Sequence, residues 1–334
     1  MTMTYKKTIL ITGGTANLGY QTALKLARLY PQNLIILSSR SDPDKAAENI
    51  NTILKQSNTI FLPLDLSSLE NVREYCSKWG SEYPPIQALL LNAGLQFPGG
   101  ITKTVDGVES TFGINHLGHA LLFHLLAPYL DEDGEVSVIV TASGTHDPEQ
   151  KTGLPDAEYL SAEQLAHPSD KDGKEKNGRQ RYATSKLCNV LWTYALASKL
   201  KGQEGKKGGK KGGEIRVAAY DPCLMPGTGL ARDAGAVGRF LWFCVAPRII
   251  PLLRIVVDER VFTPTQSAEG LVRLVTGDLK GEGRYYFESS LQGGKERESS
   301  MDSYDVGKQE DLWGWTTRFL ARDEEEGRRF EEFR

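Results

Sequence analysis

"TILITGGTANLGYQTALKLARLY", residues 8–30, is the stretch on which the fold turns. Thr8 to Thr12 suit a strand covered on both faces, and Gly13 and Gly14 follow at once. Gly19 opens a stretch whose apolar residues recur at helical spacing. A glycine turn between a strand and a helix lets the backbone approach a pyrophosphate, whose charge then faces the helix N-terminus. Asn17 stands where such a loop usually carries its middle glycine. A short Asx side chain tolerates a left-handed backbone better than most residues, so the loop is altered and not abolished. Taken alone, the stretch fits a nucleotide site and a ligand-free strand–helix turn equally well.

Outward from this unit the alternation continues. "NLIILSS" (33–39), "TIFLPLDL" (59–66), "IQALLLNAG" (86–94), "EVSVIVTAS" (135–143) and "EIRVAAYDP" (214–222) are further strand candidates, near-continuous apolar runs separated by helix-patterned stretches. Repeated β-α units imply an α/β fold in one domain: a Rossmann-like, doubly wound parallel sheet with helices on both faces. The core spans about residues 7–290, with a C-terminal extension over 293–334. There Leu312, Trp313, Trp315, Phe319 and Leu320 suit a helix face docked on the main body. Segments 146–181 and 229–262 are excursions at the C-terminal edge of the sheet, expected to wall a substrate pocket. "KGQEGKKGGKKGG" (201–213) reads as a flexible, solvated loop, ahead of a phosphate-binding patch.

Composition narrows the partners. A net charge of −3 over 334 residues gives no basis for nucleic-acid binding. Cys76, Cys188, Cys223 and Cys244 show no CxxC spacing and imply a reducing compartment without a structural metal. His116, His119, His124 and His146 are irregularly spaced, without partnered Cys or Glu, and read as core or surface residues. "MTMTYKK" runs straight into the first strand, so no cleaved signal peptide is expected and the location reads as cytoplasmic. "FLWFCVAPRIIPLLRIVV" (240–257) is apolar but carries two arginines and two prolines, which argues against a transmembrane helix. It reads as a buried or pocket-covering helical segment, with attachment to a membrane surface as the second reading.

Two further patterns bear on chemistry. A carboxylate about 20 residues past the glycine loop would bond the ribose 2′-hydroxyl of NAD, whereas an arginine accommodates the 2′-phosphate of NADP. Here the second strand ends in "SSRSD", with Arg40 near its tip and Asp42 two residues into the loop, so NADP(H) is expected over NAD(H). "RYATSKLCNVLW" puts Tyr182 and Lys186 four apart on one helix face. A phenol titrates near pH 10, and a neighbouring ammonium would bring it closer to a useful value. Ser143 lies at the C-terminal tip of a strand, where such sheets bind ligands.

Together these motifs resemble the short-chain dehydrogenase/reductase family from about residue 7 to 232. "TGGTANLG" resembles the family's TGxxxGxG loop, departing at Asn17, and implies cofactor contacts from Gly13, Thr15, Asn17, Leu18 and Gly19. "DLS" matches the acidic adenine-side position, Asp65, with Leu66 beside it; "LNAG" matches NNAG, with Leu91 for the first Asn and Asn92, Ala93 and Gly94 retained. Asn115, Ser143, Tyr182 and Lys186 fall on the catalytic tetrad. "DPCLMPGTGL" is similar to the segment beside the nicotinamide, with Cys223 where a glycine normally stands, and implies contacts from Pro226 and Thr228. "TVDGVESTFGINHLGHALL" and the long Ser143-to-Tyr182 gap are most similar to the retinol dehydrogenase and protochlorophyllide reductase branch.

The resemblance implies hydride transfer between NADP(H) and a carbonyl/alcohol pair. Tyr182 would act as acid/base, Ser143 would hold the substrate oxygen, and Lys186 would lower the tyrosine pKa and bond the nicotinamide ribose. Asn115 would hold a water in a proton relay. The apolar residues of 229–262 lean toward a lipophilic or polycyclic ketone, aldehyde or alcohol. Protochlorophyllide-reductase-like C=C reduction and a non-catalytic NADP(H)-binding sensor or interaction protein stand as alternatives. Asn115 repairing a helix kink and Ser143 capping the following segment are the structural readings beside the catalytic ones.

Overall fold

The computed structural model describes residues 5–169, 177–204, 214–229, 235–278, 282–287 and 295–333. Strand β1 (Thr8–Thr12) leads through the glycine turn into α1 (Asn17–Leu29), followed by β2 (Leu34–Ser39), α2 (Ala46–Leu54), β3 (Thr59–Pro63) and α3 (Leu69–Cys76). Then come β4 (Ile86–Leu91), α4 (Ser110–Phe112), a π-helical turn (Gly113–Leu117), α5 (Gly118–Leu126) and β5 (Val136–Thr141). A short helix, α6 (Ala162–Ala166), precedes the long α7 (Gly178–Glu204) and β6 (Ile215–Asp221). Two short helices, α8 (Ala236–Phe240) and α9 (Ile250–Val256), lead to α10 (Pro264–Thr276), β7 (Glu282–Phe287) and β8 (Lys295–Glu296). The extension forms α11 (Val306–Leu320) and α12 (Glu324–Glu332).

The strands pair in the order β3-β2-β1-β4-β5-β6-β7-β8, parallel throughout except for β8, which runs antiparallel to β7. All five residues of β1 and all six of β5 are buried, because helices cover both faces. One face packs α1 and α10 through Leu18, Leu26, Leu271 and Val275; the other packs α3, α5 and α7 through Val72, Leu121, Leu187 and Leu191. This is the doubly wound sheet expected from the alternating runs. β7 and β8 lie beyond the six strand candidates: "EGRYYF" opens with two charged residues around a glycine, a weak strand signal. In the extension, Trp313 is buried and stacks on Trp192 of α7, and Arg73 of α3 pairs with Glu326 at 2.6 Å. Residues 205–213 of the Lys/Gly segment lie outside the described residues; its first four close α7.

The apolar segment 240–257 departs from expectation. Instead of lying buried, it exposes Phe240, Leu241, Leu252, Ile255, Val256 and Val257; within that span Ile250 alone counts as core. Pro247 and Pro251 break it into short pieces, too short to offer one continuous face to the sheet. No single helix among the described residues is long and apolar enough to cross a membrane; Ala236–Arg248 and Ile250–Val256 meet that test only as a pair, bent by 100°.

The π-helical turn and α5 carry three wholly buried histidines. His116 bonds Thr316 of the extension at 3.0 Å, His119 bonds Thr12 at 2.9 Å, and His124 stacks on Phe330 at 4.7 Å between ring centroids. They are core residues, and among the described residues no cluster of three or more His, Cys, Asp or Glu could hold a metal. Burial depresses them from the ordinary 6.5 to about 3 (His116), about 4 (His119) and about 3 (His124). The unfolded chain therefore takes up protons first. Stability is whole above pH 6.5 and is lost as the pH falls toward those folded values, at up to about 1.4 kcal/mol per histidine per pH unit. Thermal melts between pH 7 and 4.5 should show Tm falling steeply below 6.5, and His124→Phe should make that fall shallower. An unchanged slope in the variant would contradict this origin of acid sensitivity.

Candidate active site

The C-terminal ends of β1, β2, β4, β5 and β6 open onto one cavity of about 460 Å³. At its floor the glycine turn takes its expected shape. Gly13 has φ +65°, Asn17 sits in the left-handed region at φ +48°, and a Cβ on Gly19 would come within 2.2 Å of the Gly13 carbonyl oxygen. Asn17 thus adopts the conformation that glycine would otherwise supply, at the first residue of α1. Thr12, buried at the end of β1, receives hydrogen bonds on its Oγ1 from the backbone N–H groups of Asn92 and Ala93, at 2.8 and 3.0 Å. The Asn92 side chain donates to the Thr12 carbonyl at 2.9 Å and accepts from Thr141 at 3.3 Å, tying β1, β4 and β5 together where the cavity begins.

Around the far wall stand Ser39, Arg40, Asp42, Asp65 and Leu66. Asp42 is engaged elsewhere: its carboxylate accepts from the N–H groups of Ala46 and Ala47 at the start of α2, at 2.8 and 3.4 Å. Arg40 is exposed at the cavity edge. Asp65 accepts from the N–H and hydroxyl of Ser67 on one oxygen.

At the opposite end, α7 presents Tyr182 and Lys186 to the cavity. Lys186 is buried and donates from Nζ to the Thr141 carbonyl at 2.9 Å, at the last residue of β5. Its ammonium lies 5.6 Å from the Tyr182 ring centroid, and a Cβ on Gly94 would approach it to 3.4 Å, so glycine keeps the space in front of it open. Burial lowers Lys186 to about 8, offset in part by the nearby Asp221 carboxylate. Burial raises Tyr182 above its ordinary 10, Asp221 raises it further, and hydrogen bonding to Ser143 opposes both. The direction is opposite to the lowering expected from Lys186: for a wholly buried phenol, loss of water is the largest effect. Ser143 also caps the turn that follows, accepting from the Thr145 N–H at 3.3 Å.

Two residues do not reach the cavity. Asn115 is buried in the π-helical turn, where its side chain accepts from Leu95 N–H at 2.8 Å and donates to the Leu95 carbonyl at 2.9 Å and to Ser185 at 3.0 Å. Ser185 in turn donates to the Tyr182 carbonyl at 2.7 Å. Pro226 is buried at the corner of a turn with Gly227 at φ +86°, leaving Met225 and Thr228 at the cavity surface. All other expected cofactor contacts line the cavity. The excursions contribute less than expected: among the described residues none from 146–180, and from 229–262 only Gly229, line it. The 240–257 pieces lean outward, and His146 turns under the site to bond the Ser143 carbonyl at 2.7 Å and the Ser300 N–H at 3.2 Å.

Asp221 was not singled out by the sequence reading. It is buried at the end of β6 and accepts the Cys223 N–H at 2.8 Å, holding Cys223 in the left-handed region at φ +61°. The signal was present: a lone acid closing an apolar strand, "IRVAAYD".

Known proteins resemble this chain in sequence and in fold. The short chain dehydrogenase family model matches residues 7–152. Retinol dehydrogenase 14 of Mus musculus is 30% identical over 319 residues, covering 92% of this chain and 84% of that protein. The chain belongs to the short-chain dehydrogenase/reductase family of oxidoreductases, in its retinol dehydrogenase-like branch. Two solved structures share the fold. One, from Mycobacterium Paratuberculosis, has a TM-score of 0.67 and 22% identity over 95% of this chain and 94% of that one. A short chain dehydrogenase from Shigella flexneri 2a complexed with NADP has a TM-score of 0.57 and 18% identity, covering 86% and 99%.

Because Asp221 holds Lys186 up against burial, Asp221→Asn should lower the pH at which the ammonium is lost. Asparagine retains an acceptor for the Cys223 N–H, so the fold should persist. The alkaline limb of a turnover pH profile should move to lower pH in the variant; an unmoved limb would remove Asp221 from the electrostatics of the site.

Proposed function

We propose that the chain is an NADP(H)-dependent oxidoreductase that interconverts a carbonyl and an alcohol on a lipophilic substrate, a ketone or aldehyde on the reduced-cofactor side. The observation that carries this reading is the meeting of Tyr182, Ser143 and Lys186 with the glycine turn in one cavity. The residues present fit a dinucleotide: a turn that only glycine or a left-handed residue can form, the Asn92–Gly94 backbone beside it, and an ammonium facing the glycine at 94. When bound, a reduced nicotinamide supplies the hydride that such a reaction needs.

The protein's own groups do the rest. Gly13, Thr15, Asn17, Leu18 and Gly19 would cradle the pyrophosphate at the start of α1. Asp65 and Leu66 would border the adenine, and Thr228 the carboxamide. Ser143 would donate a hydrogen bond to the substrate oxygen and hold it beside the Tyr182 hydroxyl. Tyr182, kept protonated at neutral pH by burial, would give its proton to that oxygen as the alcohol forms. Lys186, still largely protonated at pH 7, would stabilise the phenolate left behind and bond the ribose. Asn115 would act as a positioning residue, pinning the π-helical turn to Leu95 and, through Ser185, to the turn of α7 that carries Tyr182.

Preference for NADP(H) is supported by Arg40 at the cavity edge and by the engagement of Asp42 at the start of α2. The NADP bound in the Shigella flexneri relative of the fold is consistent with it. A lipophilic substrate is supported by the likeness to a retinol dehydrogenase. A cytoplasmic location, free or at an intracellular membrane surface, suits this substrate class and the four free cysteines.

Tyr182→Phe removes the proton donor and leaves the ring. Turnover of a lipophilic ketone should fall by roughly 10²–10⁴-fold, with NADPH affinity changed little. A variant that kept wild-type turnover would overturn the assignment of Tyr182.

A further inference from the structure

We infer that the helical pair over 236–257 is a docking surface for an anionic lipid bilayer, set at the mouth of the cavity. Of the 17 large hydrophobic side chains exposed among the described residues, nine fall between Val237 and Val257. Ile255 is 84% exposed, Val256 72% and Phe240 61%. Isolated exposed apolar residues are ordinary; a concentration of this kind on one short segment marks a surface meant to be covered. α8 with its following turns and α9 meet at 100°, and neither arm alone is long and apolar enough to span a bilayer; a short bent pair with one exposed apolar side suits lying on its surface.

Charge identifies what covers it. Residues 236–257 contain Arg239, Arg248 and Arg254 and no acid, within a chain whose net charge is −3. Arg239 and Arg248 are exposed. Arg254 is held at the base, donating to the Val261 carbonyl at 2.8 Å and to Gln266 at 3.1 Å over the Phe262 ring. Cations interleaved with exposed Phe, Leu, Ile and Val suit the boundary between anionic headgroups and acyl chains. A second copy of the chain related by a two-fold axis would set this arginine-bearing, acid-free segment against the same segment, with no opposite charge within it to meet the arginines, which disfavours it.

The inner side of the segment is seated on the site. Trp242 donates from Nε1 to the Thr228 carbonyl at 2.8 Å, and a Cβ on Gly227 would meet Pro247 at 2.9 Å. Met225, Thr228 and Gly229 of that same loop line the cavity. A bilayer resting on the outer face would therefore lie against the loop that bounds the site, and a substrate dissolved in it could enter without crossing bulk water. The docking itself does not depend on the reaction proposed above.

The test is flotation of the full chain with vesicles of phosphatidylcholine alone or mixed with phosphatidylglycerol, alongside Ile255→Ser/Val256→Ser, whose changes lie on exposed positions. The wild-type protein should float with the mixed vesicles and bind the neutral ones at least ~tenfold more weakly. The double variant should lose binding to the mixed vesicles by at least ~tenfold, with its NADPH affinity and melting temperature unchanged. Absence of flotation with either vesicle, or equal flotation of the variant, would overturn the inference. So would a dimer in sedimentation velocity that the double variant abolishes, which would give the face to a second copy. Because the readout is binding to lipid, its failure leaves the oxidoreductase reading standing.

Discussion

A buried ammonium holds the site together. Lys186 reaches from α7 to the last carbonyl of β5, with its side chain buried. Burying a cation is costly unless it is hydrogen-bonded and balanced by charge. Here the Thr141 carbonyl supplies the bond and the buried Asp221 carboxylate supplies the balance. Asn189, one helical turn on, donates to the same carbonyl at 3.0 Å, so α7 is fixed to the sheet at the point where Tyr182 must face the cavity. The helix could slide along the sheet only by breaking bonds that water cannot replace.

The same economy of polar groups appears at the neighbouring strand ends. Thr12, Asn92 and Thr141 satisfy one another across β1, β4 and β5, and His119 closes the set from α5. These contacts give the strand tips a fixed relation before any ligand arrives, which is what positioning a hydride donor against a carbonyl requires. Asn115 belongs to this framework and not to the cavity surface. Of the two readings offered by the sequence, the structural one describes its place, at a helix irregularity; its link through Ser185 to the backbone of Tyr182 was in neither.

Much of this was legible in the sequence because parallel strands buried on both faces leave unbroken apolar runs, and because the glycine turn and the Tyr182–Lys186 spacing are local patterns. Asn17 could be read as a left-handed residue from its chemistry alone, and it is one. What could not be read depends on distant partners. Whether burial or the ammonium dominates Tyr182 is decided by how much water the whole cavity excludes, not by the helix that carries both. That Asp42, already set aside as too far into the loop, is bound to the start of α2 depends on a backbone that only the fold supplies. The 240–257 segment shows the limit of composition: apolar content implies that a segment will be covered, but not whether by the protein's own core. Its two prolines, visible at the outset, explain why the core does not cover it.

Every role assigned to these residues requires the cavity to be a dinucleotide site, with Arg40 at the phosphate-reading end. Titrating the purified protein with NADPH and then NADH, following cofactor fluorescence, tests this most directly. Micromolar binding of NADPH, with NADH at least ~tenfold weaker, is the expected result. Binding of neither would mean that Asn17 leaves the turn unable to hold a pyrophosphate, and would contradict the account at its base.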